Sequence, residues 1–67
     1  MWEKLADGLT QEQLVSFILV AVKDQLYKEI RISYEKDNVV FLHSLSDIDN
    51  IQDWANDFTI WVIQKDT

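Results

Sequence analysis

His43 is the only imidazole in this chain, and there is no cysteine. A catalytic thiol, a thiolate metal site and a disulfide are therefore excluded. As a general base His43 would need a substrate pocket and an orienting partner, and the sequence points to neither. Ser44 follows it directly, and on a strand consecutive side chains point to opposite faces, which argues against a Ser-His dyad. Asp47 and Asp49 have the spacing that opens a calcium loop, but the later Gly and Glu that complete one are missing. A phosphate-cradling loop needs several glycines, and Gly8 is the only one. The expectation is a protein that is not an enzyme and holds no metal or cofactor.

What remains is carboxylate chemistry. From Asp37 to Gln64 the chain carries Asp37, Asp47, Asp49, Asp53 and Asp57 and no lysine or arginine. Residues 1–36 hold six acids and five bases; residues 37–67 hold six acids and only Lys65. Nearly all of the net charge of -6 thus belongs to one half of the sequence. Such a one-sided field repels nucleic acid and membrane phosphate and steers association with basic surfaces. Direct nucleic-acid binding wants clustered bases, whereas Lys23, Lys28, Arg31 and Lys36 are interleaved with Asp24, Glu29, Glu35 and Asp37. Two readings of the acids stand side by side. They keep a small protein soluble, or they imitate the phosphate backbone of a nucleic acid.

Sixty-seven residues make a single domain, 1–67. A chain this short has a marginal core and often draws stability from a second subunit. Apolar residues make up 48% and proline is absent, a composition for an ordered fold with few breaks. The longest apolar run, Phe17 to Val22, is far short of a membrane span. Met1-Trp2-Glu3-Lys4 does not open a signal peptide. The expectation is a cytoplasmic protein of a bacterium or an infected host cell, with no membrane partner.

The elements that must position the acids follow from periodicity. Trp2, Leu5, Ala6 and Leu9 have the spacing of a short helix, closed by Asp7-Gly8 with Gly8 as a left-handed cap. Thr10 and Gln13 form a capping box, flanked by the staple Leu9 and Leu14, and predict a helix from about Gln11 to about Lys28. Its first half is apolar nearly all round. Leu14, Ile18, Val22 and Leu26 lie on one stripe, and Phe17, Val20 and Ala21 spread over the opposite arc. Either the whole surface packs under the sheet, or Phe17, Val20 and Ala21 form a homodimer seam. Ile30, Ile32 and Tyr34 alternate with Arg31, Ser33 and Glu35 as a half-buried strand. Lys36-Asp37-Asn38 is a turn, and Val39 to His43 a second strand, apolar on both faces and therefore expected in the middle of the sheet. Ser46 caps an acidic helix with Asp49 at its third position; Ile48, Ile51 and Ala55 face inward, and Asn56-Asp57 closes it. Asp47 and Asp49 would there favour the helix dipole. Phe58 to Ile63 is a last strand, and Gln64 to Thr67 a polar tail. The fold expected is α+β: short helix, long helix, β-hairpin, short acidic helix, third strand. The three-stranded, mostly antiparallel sheet packs on the long helix.

Two pieces of this pattern, Asp37-Asn38-Val39-Val40-Phe41-Leu42 and Trp61-Val62-Ile63-Gln64 after an acidic connection, resemble the C-terminal part of phage-type uracil-DNA glycosylase inhibitors. The resemblance covers Ile30 to Lys65, about half of the chain. It implies a small acidic DNA mimic with a helix packed on an antiparallel sheet. The Gln-Glu-Ser edge strand of that family has no counterpart. Gln11-Glu12-Gln13 is the nearest string and opens a helix here, so no site residue is carried over. Anti-restriction and anti-CRISPR proteins fit the same class.

The function expected is a non-enzymatic, phage- or mobile-element-type inhibitor that occupies the basic surface of a nucleic-acid-processing enzyme. Asp47, Asp49, Asp53 and Asp57 supply the field, and Trp54, or Trp61 if its face is open, supplies the desolvated anchor. The alternative is a small homodimeric structural or regulatory subunit with helix 14–22 as its seam and the acids only solubilising.

Overall fold

A computed structural model describes residues 1–65; Asp66 and Thr67 of the expected polar tail lie outside the described residues. The order of elements is β1 (Glu3–Leu9), α1 (Gln11–Lys23), β2 (Tyr27–Lys36), β3 (Val39–Ser44), a 3-10 turn over Leu45–Asn50, and β4 (Phe58–Gln64). Among the described residues the architecture is α+β, with one α-helix and an antiparallel sheet of four strands rather than three, in the order β1-β4-β2-β3.

The extra strand comes from the segment whose spacing predicted a helix. β1 pairs with β4 as Glu3↔Val62, Lys4↔Trp61, Ala6↔Ile60 and Leu9↔Phe58, with register shifts between Lys4 and Ala6 and between Ala6 and Leu9. Each shift inserts an extra residue and resets the strand alternation. A doubly bulged strand therefore repeats its inward residues at three-residue steps, which imitates a helix. Seven residues are also too few for a self-supporting helix, whereas β4 offers a full row of backbone partners. Gly8 does take the left-handed conformation, φ 64°, but within the second bulge and not as a helix cap.

α1 begins where its capping box places it. The Thr10 side chain accepts a hydrogen bond from the Gln13 backbone N–H (3.2 Å), and the Gln13 side chain accepts one from the Thr10 N–H (2.9 Å). The helix stops five residues before Lys28. Gln25 adopts φ 51°, the Leu26 N–H donates to the Ala21 carbonyl, and the Gln25 N–H donates to the Val22 carbonyl. This is a Schellman closure with glutamine at the position glycine usually holds. The amphipathic second half of the expected helix goes instead to β2, which pairs with β4 from Tyr27↔Gln64 onward. Leu14 and Ala21 are buried, and Phe17 and Ile18 pack beside them against the sheet.

The hairpin forms as its residues dictate. Asp37 (φ 53°) and Asn38 (φ 66°) make a two-residue loop of the mirror-image type I turn, closed by Lys36↔Val39. Ile30, Ile32 and Tyr34 are buried while Arg31, Ser33 and Glu35 are not, so the alternation in β2 is real. β3 is not central. It pairs only with β2, at the edge, and Val39, Val40 and Leu42 are exposed. The two inner positions fall to β2 and to β4, whose Phe58, Ile60 and Val62 are fully buried.

The acidic helix is also replaced. Only a 3-10 turn, Leu45–Asn50, forms, with Ser44 rather than Ser46 at its start and no side-chain cap; Ser44 and Ser46 share a hydroxyl hydrogen bond of 3.0 Å. Asp, Asn and Ser bond locally to backbone and to one another, which favours turns over continued helix. The inward residues were nevertheless right: Ile48 and Ile51 pack on the core and Ala55 is buried in it.

Phe58 lies at the centre of this core, so Phe58→Ala is expected to cost about 3–5 kcal/mol. That loss is comparable to the whole stability of so small a domain, roughly 0.05–0.15 kcal/mol per residue. Thr10→Ala removes one helix cap and is expected to cost only about 1 kcal/mol. Urea denaturation of the two variants checks both the sizes and their order.

Candidate functional site

The connection from β3 to β4 carries the acids, and it is tied down at both ends. At the start of α1 the Gln11 side-chain amide donates to the backbone carbonyls of Asp53 (3.0 Å) and Ala55 (2.9 Å). At the sheet the Tyr34 phenol, on a buried residue, is the anchor. Its oxygen accepts the Gln52 backbone N–H at 3.2 Å and lies 2.9 Å from His43 Nε2, while His43 Nδ1 lies 2.8 Å from Asp47 Oδ2. A carboxylate only accepts, so a neutral His43 donates from Nδ1 to Asp47 and accepts at Nε2 from the Tyr34 hydroxyl. The chain Gln52–Tyr34–His43–Asp47 is then satisfied at every link, and the Asn50 amide donates to the other oxygen of Asp47.

The arrangement settles what His43 does. Both of its nitrogens are occupied, its side chain is 12% exposed, and its ring stacks on Tyr34. Ser44 bonds to Ser46 and takes no part. The Asn50 hydrogen bond first, and His43 second, hold the Asp47 carboxyl below its ordinary value of 3.8. Among the described residues no three His, Cys, Asp or Glu side chains are grouped to hold a metal ion.

The Asp47 side chain is hydrogen-bonded to His43 and Asn50 and is 43% exposed. Asp49, Asp53 and Asp57 are exposed, and Asp57 sits at φ 54°, where the chain turns into β4. Trp54, on the same segment, is 45% exposed. It meets Tyr34 and Phe41 edge-on, at 5.6 and 5.5 Å between centroids, and the Lys36 ammonium lies 4.4 Å from the centre of its ring. The acidic segment therefore has a base beside it that the sequence, with Lys36 eighteen positions away, does not reveal.

The expected helix seam does not form as one surface. Ala21 is buried and Phe17 is turned inward, stacking on Tyr27 with centroids 6.2 Å apart. Of that trio only Val20 is open, and the helix residues facing outward with it are Val15, Leu19 and Val22. The sheet covers the arc that contains Phe17 and Ala21, because the helix axis is set by Leu14 and Ala21 packing over β4 and β2.

Sequence reading missed the sheet face away from the helix. Trp2, Arg31, Ser33, Val40, Leu42 and Trp61 line a shallow groove of about 320 Å³ there. The Arg31 guanidinium lies 4.7 Å from the centre of the Trp2 ring, and the Trp61 indole N–H donates to the Ser33 hydroxyl at 3.0 Å. Positions 31, 33, 40, 42 and 61 alternate along their strands. The groove was hidden because β3 was expected in the middle of the sheet and Trp2 on a helix.

Comparisons with protein-family models, with curated proteins and with solved structures each found no match. No helix among the described residues is long and apolar enough to cross a membrane.

The Tyr34 network predicts two outcomes. Tyr34→Phe strands the Gln52 N–H and leaves His43 Nε2 without its donor; it is expected to cost about 1–2 kcal/mol and to speed amide exchange at Gln52. A carboxyl whose value is lowered by folding stabilises above its ordinary value, and that contribution is lost as pH falls through the lowered one. Acidification below 3.8 is therefore expected to loosen Leu45–Asn50, with the Asp47 midpoint under 3.8 by NMR. In Asp47→Asn the same signals should lose this acid transition.

Proposed function

We propose that this protein is a small acidic, non-enzymatic binding protein that inhibits a nucleic-acid-processing enzyme by covering its basic surface. The observation that carries the reading is the exposure of Asp49, Asp53 and Asp57, together with the half-exposed Trp54, on a segment without lysine or arginine of its own. The segment is pinned by Gln11 and Tyr34. Its charges are consequently held in place before binding, which lowers the ordering cost of association. Long-range attraction to a basic groove scales with these charges, while Trp54 supplies apolar area that a polyanion lacks. Asp47 contributes to the field with its carboxylate fixed by His43 and Asn50. Lys36 trims the field beside Trp54 and would meet an acidic or aromatic group of the target. The resemblance to phage-type uracil-DNA glycosylase inhibitors supports this class, in which a phage or mobile element disarms a host enzyme.

The test uses immobilised protein and a bacterial lysate, with double-stranded DNA as competitor. A nucleic-acid enzyme is expected to be retained, displaced by DNA, and bound with an association rate that falls about tenfold or more between low and high salt. The triple variant Asp49→Asn, Asp53→Asn, Asp57→Asn should fold normally and lose most of that rate. Binding that neither DNA nor salt weakens would sink the mimic reading.

A further inference from the structure

The two edges of the sheet are built in opposite ways. β1 is bulged twice, carries Glu3, Lys4 and Asp7, and has Gly8 at positive φ; Lys4 and Asp7 are ion-paired at 3.0 Å. Such features stop a sheet edge from pairing with another chain. β3 has none of them. It runs in unbroken register with β2 through six pairs, from Lys36↔Val39 to Arg31↔Ser44. It contains no proline, and no Asp, Glu, Lys or Arg occurs from Asn38 to Ser46. Val39, Val40 and Leu42 are exposed along it, Val40 at 66%.

The free backbone groups of β3 can be assigned. The two-residue loop makes Lys36–Val39 a hydrogen-bonded pair, so Tyr34–Phe41 and Ile32–His43 are the others in the alternation. The N–H and C=O groups of Val40 and Leu42 accordingly point away from β2, as does the N–H of Ser44, whose carbonyl instead opens the 3-10 turn. Val40 and Leu42 are the same residues that line the groove with Trp2 and Trp61. One strand therefore offers both unpaired backbone groups and an uncovered apolar strip.

We propose that two copies of this chain pair β3 against β3 about a two-fold axis, joining their sheets into one of eight strands. Charge leaves β3 as the place where a second copy fits. Each chain carries -6, most of it in residues 37–67, yet no Asp, Glu, Lys or Arg occurs from Asn38 to Ser46, so two copies meet along β3 without like charges opposed within the strand. Antiparallel pairing of a strand with its own copy matches lengths, satisfies the outward groups of both, and lays the Val40 and Leu42 strips side by side. The assembly closes as a dimer and does not extend into a fibre, because the other edge of each sheet is the bulged and charged β1. The homodimer expected from the helix is thereby relocated to the sheet edge.

Sedimentation equilibrium of the full chain at about 10–100 µM tests the proposal, since dimer population follows protomer concentration. A dimer mass is expected, and it should strengthen with added salt, which screens the mutual repulsion. The opposite salt dependence is expected for an enzyme target, so failure of one reading is distinguishable from failure of the other. Val40→Lys, at an exposed position, should weaken the dimer about tenfold or more while the circular dichroism stays that of the wild type. Leu42→Pro removes one outward N–H, which an edge strand tolerates, and should abolish pairing. Leu19→Lys on the open side of α1 should change nothing. A monomer at the highest concentration in high salt would overturn the proposal. So would a dimer that survives Val40→Lys, or one that Leu19→Lys dissociates.

Discussion

A strand that is apolar on both faces must be covered on both faces and paired along both edges, and β4 is that strand. Phe58, Ile60 and Val62 point toward α1 and are fully buried; Trp61 and Ile63 point the other way and are partly covered. The rest of the architecture answers this demand. β2 and β1 flank β4, the chain before α1 is drawn into the sheet, and α1 is laid across its inner face through Leu14 and Ala21. With about 25 cal/mol for each Å² of apolar surface removed from water, pairing β1 with β4 outweighs the weak local preference of seven residues for a helix.

The second organising contact is Tyr34. It stacks on Phe41 and His43, meets Phe58 and Trp54 edge-on, and bonds through its hydroxyl to His43 and to the Gln52 backbone. A buried phenol needs partners for its hydroxyl; one, Gln52, lies on the segment that carries the acids, and the other, His43 of β3, holds Asp47 of that segment. The core and the candidate binding surface are therefore one construction. The hydroxyl that completes the core also holds Gln52 and, through His43, Asp47. A surface that repels itself electrostatically is in this way kept in a defined shape by hydrogen bonds beneath it.

Reading particular residues shows where sequence sufficed. The capping box of Thr10 and Gln13 and the Asp37-Asn38 turn are signals between residues at most three apart, and both formed as expected. The alternation of Ile30, Ile32 and Tyr34 held because β2 has one buried face. The failures share a cause. Trp2, Leu5, Ala6 and Leu9 have a helical spacing, yet only Ala6 and Leu9 lie opposite the buried residues of β4, three apart because of a bulge, while Trp2 lies on the other face and Leu5 is exposed. Val39 to His43 looked central because exposed apolar residues on an edge cannot be told from buried ones by pattern. Among the acids, Asp47 could not be separated from Asp49, Asp53 and Asp57, since its partner His43 is near in sequence but the Tyr34 that orients the ring is not.

The sequence by itself determined the α+β class, the start of the helix, the hairpin, the inward residues of β2, and the lopsided charge. Each of these rests on local geometry or on counting, and neither depends on what a segment meets. Tertiary structure alone decided strand order, the fate of the first nine residues, the early end of α1 at Lys23, and which apolar residues stay open to partners. Those outcomes are competitions between segments for the same neighbour. They are settled by long-range pairing with β4, whose energy exceeds local propensity and leaves no periodic trace in the segments that win or lose.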